Sequence, residues 1–161
     1  MASFVVERGF NERDRAAIVA LLREYEAGIG VSLCFQDFET ELASLPGEYA
    51  PPRGQMLLAR RAAGDRVLGM VALRPVPGTP GLCEMKRLYS APAARGGGLG
   101  RKLALAVMEE ARRLGYRRMC LDTLPSMSEA QALYRSLGFR ELGTSSSAPV
   151  VLLFERELSP P

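Results

Sequence analysis

The residues best suited to chemistry crowd into one stretch, Arg95-Gly96-Gly97-Gly98-Leu99-Gly100-Arg101-Lys102, where a long helical pattern begins. A helix N-terminus presents unpaired N–H groups and partial positive charge, so it suits a phosphate. Glycines let successive amides converge on one anion, because no Cβ blocks its approach. Arg95, Arg101 and Lys102 add full charge. Spacing narrows the choice of anion. A Walker loop requires G-x-x-x-x-G-K-[ST], and here Gly100 is followed by Arg101-Lys102-Leu103, with no hydroxyl for magnesium. A dinucleotide fingerprint requires G-x-G-x-x-G directly after a strand, but from Gly96 the third glycine position is Arg101. Asp122 does imitate the ribose-binding acid of that fingerprint and keeps a nicotinamide-dependent oxidoreductase as a weaker alternative. The pattern that fits best is R-x-x-G-x-G, filled by Arg95, Gly98 and Gly100.

Other chemistries are excluded by composition. The chain has 161 residues and no histidine. That removes Ser-His-Asp and Cys-His nucleophile systems, His-ligated zinc and imidazole bases. Acid–base work falls to Glu, Asp, Tyr, Lys or a thiol. Cys34, Cys83 and Cys120 form no C-x-x-C pair, so neither a zinc knuckle nor a redox motif is supported, and no metal is expected. They read as small buried hydrophobes of a reducing cytoplasm. The net charge of +3 is too mild for a nucleic-acid binder. The basic residues Arg95, Arg101, Lys102, Arg112, Arg113, Arg117 and Arg118 follow one another around the glycine run, which suggests a local anion site. Runs such as Val150–Phe154 are too short to span a bilayer, and charges at Glu7 and Arg8 interrupt any secretory signal. One cytoplasmic domain over residues 1–161 is expected, with no membrane partner.

The elements that must position the glycine loop follow from periodicity. Residues about 3–9 alternate as a strand, and Asn11 offers an N-cap. Ile18, Leu21, Leu22 and Tyr25 form one helical face that Gly28 and Gly30 end. A second short helix is expected near 37–45, stopped by Pro46-Gly47, with 48–54 as a loop. Strands near 55–61, 66–75 and 82–90 are joined by Gly-bearing gaps and read as antiparallel hairpins. Leu99, Leu103, Val107, Ala111 and Leu114 mark the long helix, closed by Gly115. Residues 118–123 read as a strand, and Ser126-x-x-Glu129 as a capping box. Ala130, Leu133, Tyr134 and Leu137 form the next helix, and strands near 139–142 and 150–158 close the chain. The order β-α-α-β-β-β-α-β-α-β-β is an α/β fold with an antiparallel half and one β-α-β crossover.

Two motifs carry a family resemblance. Glu84-Met85-Lys86-Arg87-Leu88-Tyr89-Ser90-Ala91-Pro92, then Arg95 and the glycines, resembles the acetyl-CoA motif of the GNAT N-acetyltransferase superfamily. Glu129-Ala130-x-x-Leu133-Tyr134-x-x-Leu137-Gly138-Phe139 resembles that family's second signature. The resemblance implies the GNAT fold, a mixed, mostly antiparallel sheet splayed into a V between the strands near 82–90 and 118–123. It implies acetyl-CoA as co-substrate, its pyrophosphate on the amides of Gly96, Gly97, Gly98, Leu99 and Gly100, near Arg95, Arg101 and Lys102. It implies a pantetheine arm along Leu88, Tyr89 and Ser90, held by main-chain groups. Ser126 or Ser128 would replace a family Asn whose place is taken by Met127.

For catalysis the resemblance implies Glu84 as base and Tyr134 as the acid that protonates sulfur. By alternation Glu84 shares a strand face with Lys86, Leu88 and Ser90. Apolar neighbours such as Leu82, Cys83 and Met85 would raise its pKa. The acceptor, a small-molecule amine or amino acid, would meet Tyr25, Phe35, Asp37, Glu48, Tyr49, Arg53 or Arg74. The family often forms homodimers. A non-catalytic acyl-CoA-binding domain of the same fold is the alternative, and the presence of both Glu84 and Tyr134 weighs against it.

Overall fold

The computed structural model describes residues 3–30, 32–33 and 37–159. Cys34, Phe35 and the Pro160-Pro161 end of the tail lie outside the described residues. Seven strands form one sheet: β1 (Phe4–Arg8), β2 (Gln55–Arg61), β3 (Val67–Pro75), β4 (Leu82–Ser90), β5 (Arg118–Thr123), β6 (Arg140–Thr144) and β7 (Leu152–Glu157). The helices are α1 (Arg15–Ile29), α2 (Phe38–Ser44), α3 (Leu99–Arg113) and α4 (Ser128–Ser136). The spatial order is β1-β2-β3-β4-β5-β7-β6. Every neighbouring pair is antiparallel except β4 and β5, which α3 joins as a parallel crossover.

The parallel join is short. Its register runs only through Leu82–Arg118, Cys83–Met119 and Glu84–Cys120, and beyond these the strands part. The V foreseen between them is therefore present, open toward the C-terminal ends of both strands.

A bulge on β4 overturns the alternation argument for Glu84 and Ser90. The β2–β3 register is unbroken through Val71, yet β4 offers two residues, Arg87 and Leu88, between Lys86 (opposite Ala72) and Tyr89 (opposite Met70). Arg87 takes φ 60, an uncommon left-handed conformation for a residue with a side chain. Opposed residues share a sheet face. Glu84 and Lys86, opposite Arg74 and Ala72, thus point to one face, whereas Ser90, opposite Gly69, points to the other.

Each face has its own helices. Gly69 leaves room for Leu99 and Leu103 of α3, which would lie 3.0 Å from a Cβ there. Arg101 on α3 donates to Ser136 on α4 at 3.0 Å. Tyr134 of α4 stacks edge-on against Phe139 and lies tilted on Phe154, a fully buried core residue. The opposite face meets α1 and α2: Tyr89 donates to Glu24 of α1 at 3.0 Å, and Arg87 reaches Glu41 of α2.

Local start and stop signals were partly displaced. Asn11 caps a 3-10 turn (Glu12–Asp14) through Arg13 N–H, so α1 begins only at Arg15. Gly28 stays inside α1, and Gly30 in the left-handed conformation ends it. A further 3-10 turn (Gly47–Tyr49) occupies part of the expected loop. The capping box at Ser126 does not form, because α4 starts at Ser128 behind Met127, with no side-chain cap. There Gln131 Nε2 instead donates to the carbonyls of Leu124 and Pro125, each at 3.0 Å, and fixes the turn from inside the helix.

Candidate active site

The opening of the V forms two connected spaces. The outer groove is lined by α1 (Tyr25, Gly28, Ile29), by Leu88, Tyr89, Ser90 and Arg95, by Gly100, and by Ser126–Ala130 and Leu133. The inner cleft is lined by Tyr25, by Met85–Leu88, by Asp122 and Thr123, and by Met127, Ala130 and Tyr134. Tyr25, Leu88, Met127 and Ala130 belong to both. The groove measures about 780 Å³ and the cleft about 70 Å³.

The groove ends at the glycine loop. Gly98 is the N-cap of α3 with φ 76, and Gly96 has φ 87. Both require the left-handed region that glycine enters without strain, and no atom lies within 4 Å of a Cβ built on either. The first amides of α3 are thus presented from an open backbone. Leu99 itself is buried, its side chain packed under β3.

The three basic residues of the loop differ in placement. Arg95 lies over the Tyr89 ring, 5.5 Å from its centroid, and its Nε donates to the Ser90 carbonyl at 3.2 Å. Arg101 is exposed and bonded to Ser136. Lys102 turns away, its Nζ donating to the Phe4 carbonyl at 2.6 Å. Arg112, Arg113, Arg117 and Arg118 do not join them, which corrects the reading of one basic cluster. A helix of 15 residues separates the ends of α3 by roughly 22 Å. At the far end Arg112 pairs with Glu109, Arg113 with Glu110, and Arg118 with Glu155.

Of the other expected donor-side residues, Leu88, Tyr89, Ser90, Gly100 and Ser126 line the groove, and Gly96, Gly97 and Gly98 stand at its end without lining it. Tyr134 lines the inner cleft and is buried. Burial is the main cause that pushes its hydroxyl above the usual phenol value, with Tyr25 and Asp122 adding to the effect. It therefore stays protonated at neutral pH.

Glu84 does not line the cleft. Its Oε1 accepts from Arg74 Nε at 3.0 Å and faces Arg74 Nη2 at 2.9 Å, while Oε2 lies 3.9 Å from Lys86 Nζ. Arg74 also binds Glu48 at 2.5 Å. Arg87, on the same strand, does not reach Glu84 and is saturated by Glu41 at 2.8 and 3.0 Å. Burial pulls the Lys86 ammonium below its usual value, and Glu84 opposes that shift.

Among the expected acceptor residues, Tyr25 lines the cleft, and Arg74 binds both Glu84 and Glu48. Tyr49 is buried, Asp37 accepts from Thr40, and the Arg53 carbonyl accepts from Tyr116. Sequence reasoning missed Lys86, Arg87 and Asp122 as cleft residues. A usable signal existed for Asp122: ligands of α/β sheets gather at the carboxyl ends of parallel strands, where it lies. The thiols of Cys83 and Cys120 are both pushed up to about 12, chiefly by burial, and stay protonated at neutral pH. Among the described residues no group of His, Cys, Asp and Glu could hold a metal ion, and no helix is long and apolar enough to cross a membrane.

The splayed sheet and its element order are matched by known proteins. Residues 17–139 match the model of the acetyltransferase (GNAT) family, and the chain belongs to that family. An N-acetyltransferase of Schizosaccharomyces pombe is 45% identical over 120 residues, covering 74% of this chain and 72% of that protein. YjgM of Escherichia coli, described as an N-acetyltransferase, is 34% identical over 140 residues, 85% of this chain and 83% of its own. A GNAT-family acetyltransferase from Staphylococcus aureus superposes with a TM-score of 0.79 over 98% of this chain and all of its own, at 19% identity. That likeness concerns the fold, an α/β GNAT sheet of seven strands with four helices. The family also displaces the nicotinamide reading of Asp122.

Proposed function

We propose that this chain is an acetyl-CoA-dependent N-acetyltransferase acting on the primary amine of a small molecule or amino acid. One observation carries the reading: a groove that begins at the glycine-capped end of α3 runs along β4 into a small cleft holding a protonated tyrosine. The residues present fit the co-substrate. The amides at Gly96–Gly100 suit its pyrophosphate, with Arg95 and Arg101 at the groove's edge. Past Glu84 the β4 edge facing β5 has no ladder partner, so main-chain groups of Leu88 and Ser90 are available to an extended pantetheine arm. Ser126 lines the groove near Met127, where a polar side chain can stand in for the family's Asn.

The two reactants are held together in the V, and transfer is direct. Glu84, fixed by Arg74, takes one proton from the acceptor's ammonium through solvent. The freed nitrogen lone pair forms the bond to the thioester carbon, and the C–S bond breaks with its electrons on sulfur. Tyr134 gives its hydroxyl proton to that sulfur and regains one from solvent, which also takes the second nitrogen proton. No cysteine is acylated, because both described thiols stay protonated. The partner is a small-molecule amine, in a cytoplasmic setting, without nucleic acid or membrane.

The test pairs binding with turnover. Acetyl-CoA should raise the melting temperature, and release of free CoA should be seen over a panel of amines, amino acids, polyamines and peptides. Binding without release for any acceptor would favour the non-catalytic acyl-CoA-binding alternative, and a larger shift with NADH would sink the acetyl-CoA assignment.

A further inference from the structure

Asp122 is a carboxylate that the chemistry above leaves unused. Elsewhere the shielded carboxylates are matched. Asp14 pairs with Arg60, Glu41 with Arg87, Glu84 with Arg74, Glu110 with Arg113 and Glu155 with Arg118, and Glu26 accepts from the Leu33 N–H. Among the described residues, Asp122 alone of the partly or fully buried carboxylates has neither an ion pair nor a hydrogen bond. A carboxylate that lines a cleft and bonds to no protein donor is a ready acceptor for a ligand's donor groups.

Its position says which ligand. Asp122 lies two residues beyond the last β4–β5 pair and lines the inner cleft with Tyr134. Cys120 is opposite Glu84, so by alternation Asp122 points to the same sheet face as Glu84 and Lys86. This is the face away from α3 and α4. Two cationic side chains share the cleft. Arg87 is held bidentately by Glu41, and Lys86, 3.9 Å from Glu84, attracts Asp122 through space without a hydrogen bond or ion pair to it, which leaves the carboxylate oxygens open to a donor. A metal ion would need further oxygen or nitrogen ligands, and no such cluster is present among the described residues.

We propose that Asp122 receives the ammonium group of the acceptor, and so selects primary amines that carry a positive charge in solution. The inference rests on the N-acetyltransferase reading and gives it a substrate class. Asp122 holds the ammonium at the cleft while Glu84 takes its proton, so the two carboxylates differ in what they control. Asp122 governs capture, and Glu84 governs turnover.

The experiment compares charged with neutral nucleophiles. The probes are butylamine and lysine amide, charged near neutral pH, against hydroxylamine and aniline, which are mostly uncharged there. Each is assayed by CoA release with parent, Asp122→Asn and Asp122→Glu. Loss of a charge-assisted contact should raise KM for the charged amines roughly 10- to 100-fold in Asp122→Asn. KM for the neutral probes and for acetyl-CoA should stay within about twofold, and Asp122→Glu should recover part of the loss. An equal KM rise for charged and neutral probes, or none for either, overturns the inference and leaves the enzyme reading intact. So does a parent that acetylates the neutral probes but no charged amine. A parent that neither binds acetyl-CoA nor releases CoA overturns both. Calorimetric titration of butylamine into the CoA-loaded protein gives a measure independent of turnover, and binding as tight to Asp122→Asn as to the parent would also overturn the inference.

Discussion

The two sides of the V are built from different materials. The side proposed for the donor is backbone: glycines at the start of α3, and the β4 edge from Leu88 to Ser90. The side proposed for the acceptor is side chains in ion pairs: Glu84 and Glu48 with Arg74, and Arg87 with Glu41. A backbone site binds a constant ligand, since amides offer the same geometry whatever the sequence. A charged side-chain site can change its preference with one substitution. The contrast teaches why a signature marks one side and none marks the other.

The sharpest way to break this contrast is at Gly98. Its φ of 76 is strained for any β-branched residue, and a side chain would project into the space now open at the loop. Gly98→Val should abolish the acetyl-CoA thermal shift, worth about 2.7 kcal/mol in the parent at a hundredfold excess over Kd. A parent-like shift would remove the loop from the donor site. Next in size is Tyr134→Phe, which keeps the packing on Phe154 and removes only the hydroxyl. kcat should fall roughly 10²- to 10⁴-fold while CoA affinity holds, measured by steady-state kinetics and calorimetry. If kcat were kept, Tyr134 would be core packing alone.

Glu84→Gln probes the acceptor side. It leaves the donor side untouched, so acetyl-CoA binding should match the parent, and kcat should fall about 10²-fold near pH 7. The deficit should shrink toward high pH, where free amine is abundant without a base. A pH-independent deficit would make Glu84 a scaffold for Arg74 instead.

The smallest effect belongs to the closed end of the V, where Cys83 and Cys120 sit. Their folded-state thiols titrate near 12 against an ordinary value of 9.0. A raised acid favours the protonated fold, so its contribution is complete below pH 9 and is lost as pH rises from there to about 12. Stability should fall by at most about 1.4 kcal/mol per pH unit in that window as the buried Cys83 thiol titrates. Cys83→Ala should flatten the slope in urea titrations between pH 9 and 11. An unaltered slope would place the alkaline loss elsewhere.

Legibility followed the same division. The glycine loop, α3, the hairpin strands and Tyr134 could be read because each is fixed by local sequence: a φ only glycine favours, a 3.6-residue period, a short turn. The acceptor side could not. Its cleft joins Tyr25, Lys86, Arg87 and Asp122 from three elements far apart in the chain. The bulge rests on Arg87, a residue that gives no turn signal, and its left-handed backbone accompanies a long-range pair with Glu41. Ser126 and Glu129 have the spacing of a capping box, but Gln131 settles the turn from within α4. The run of basic residues is contiguous in sequence but not in space, because a 15-residue helix carries its two ends apart.

The extra residue in β4 gives the strand a parity that insertions and deletions would expose. Because Arg87 and Leu88 together oppose a single position of β3, residues before them and residues after them are counted on opposite parities. Removing one of the two would turn Glu84 and Ser90 onto a common face if the rest of the ladder held. Point changes before the bulge, by contrast, leave the phase of Leu88–Ser90 untouched. The strand therefore behaves as two segments spliced in sequence, each keeping its own phase against β3.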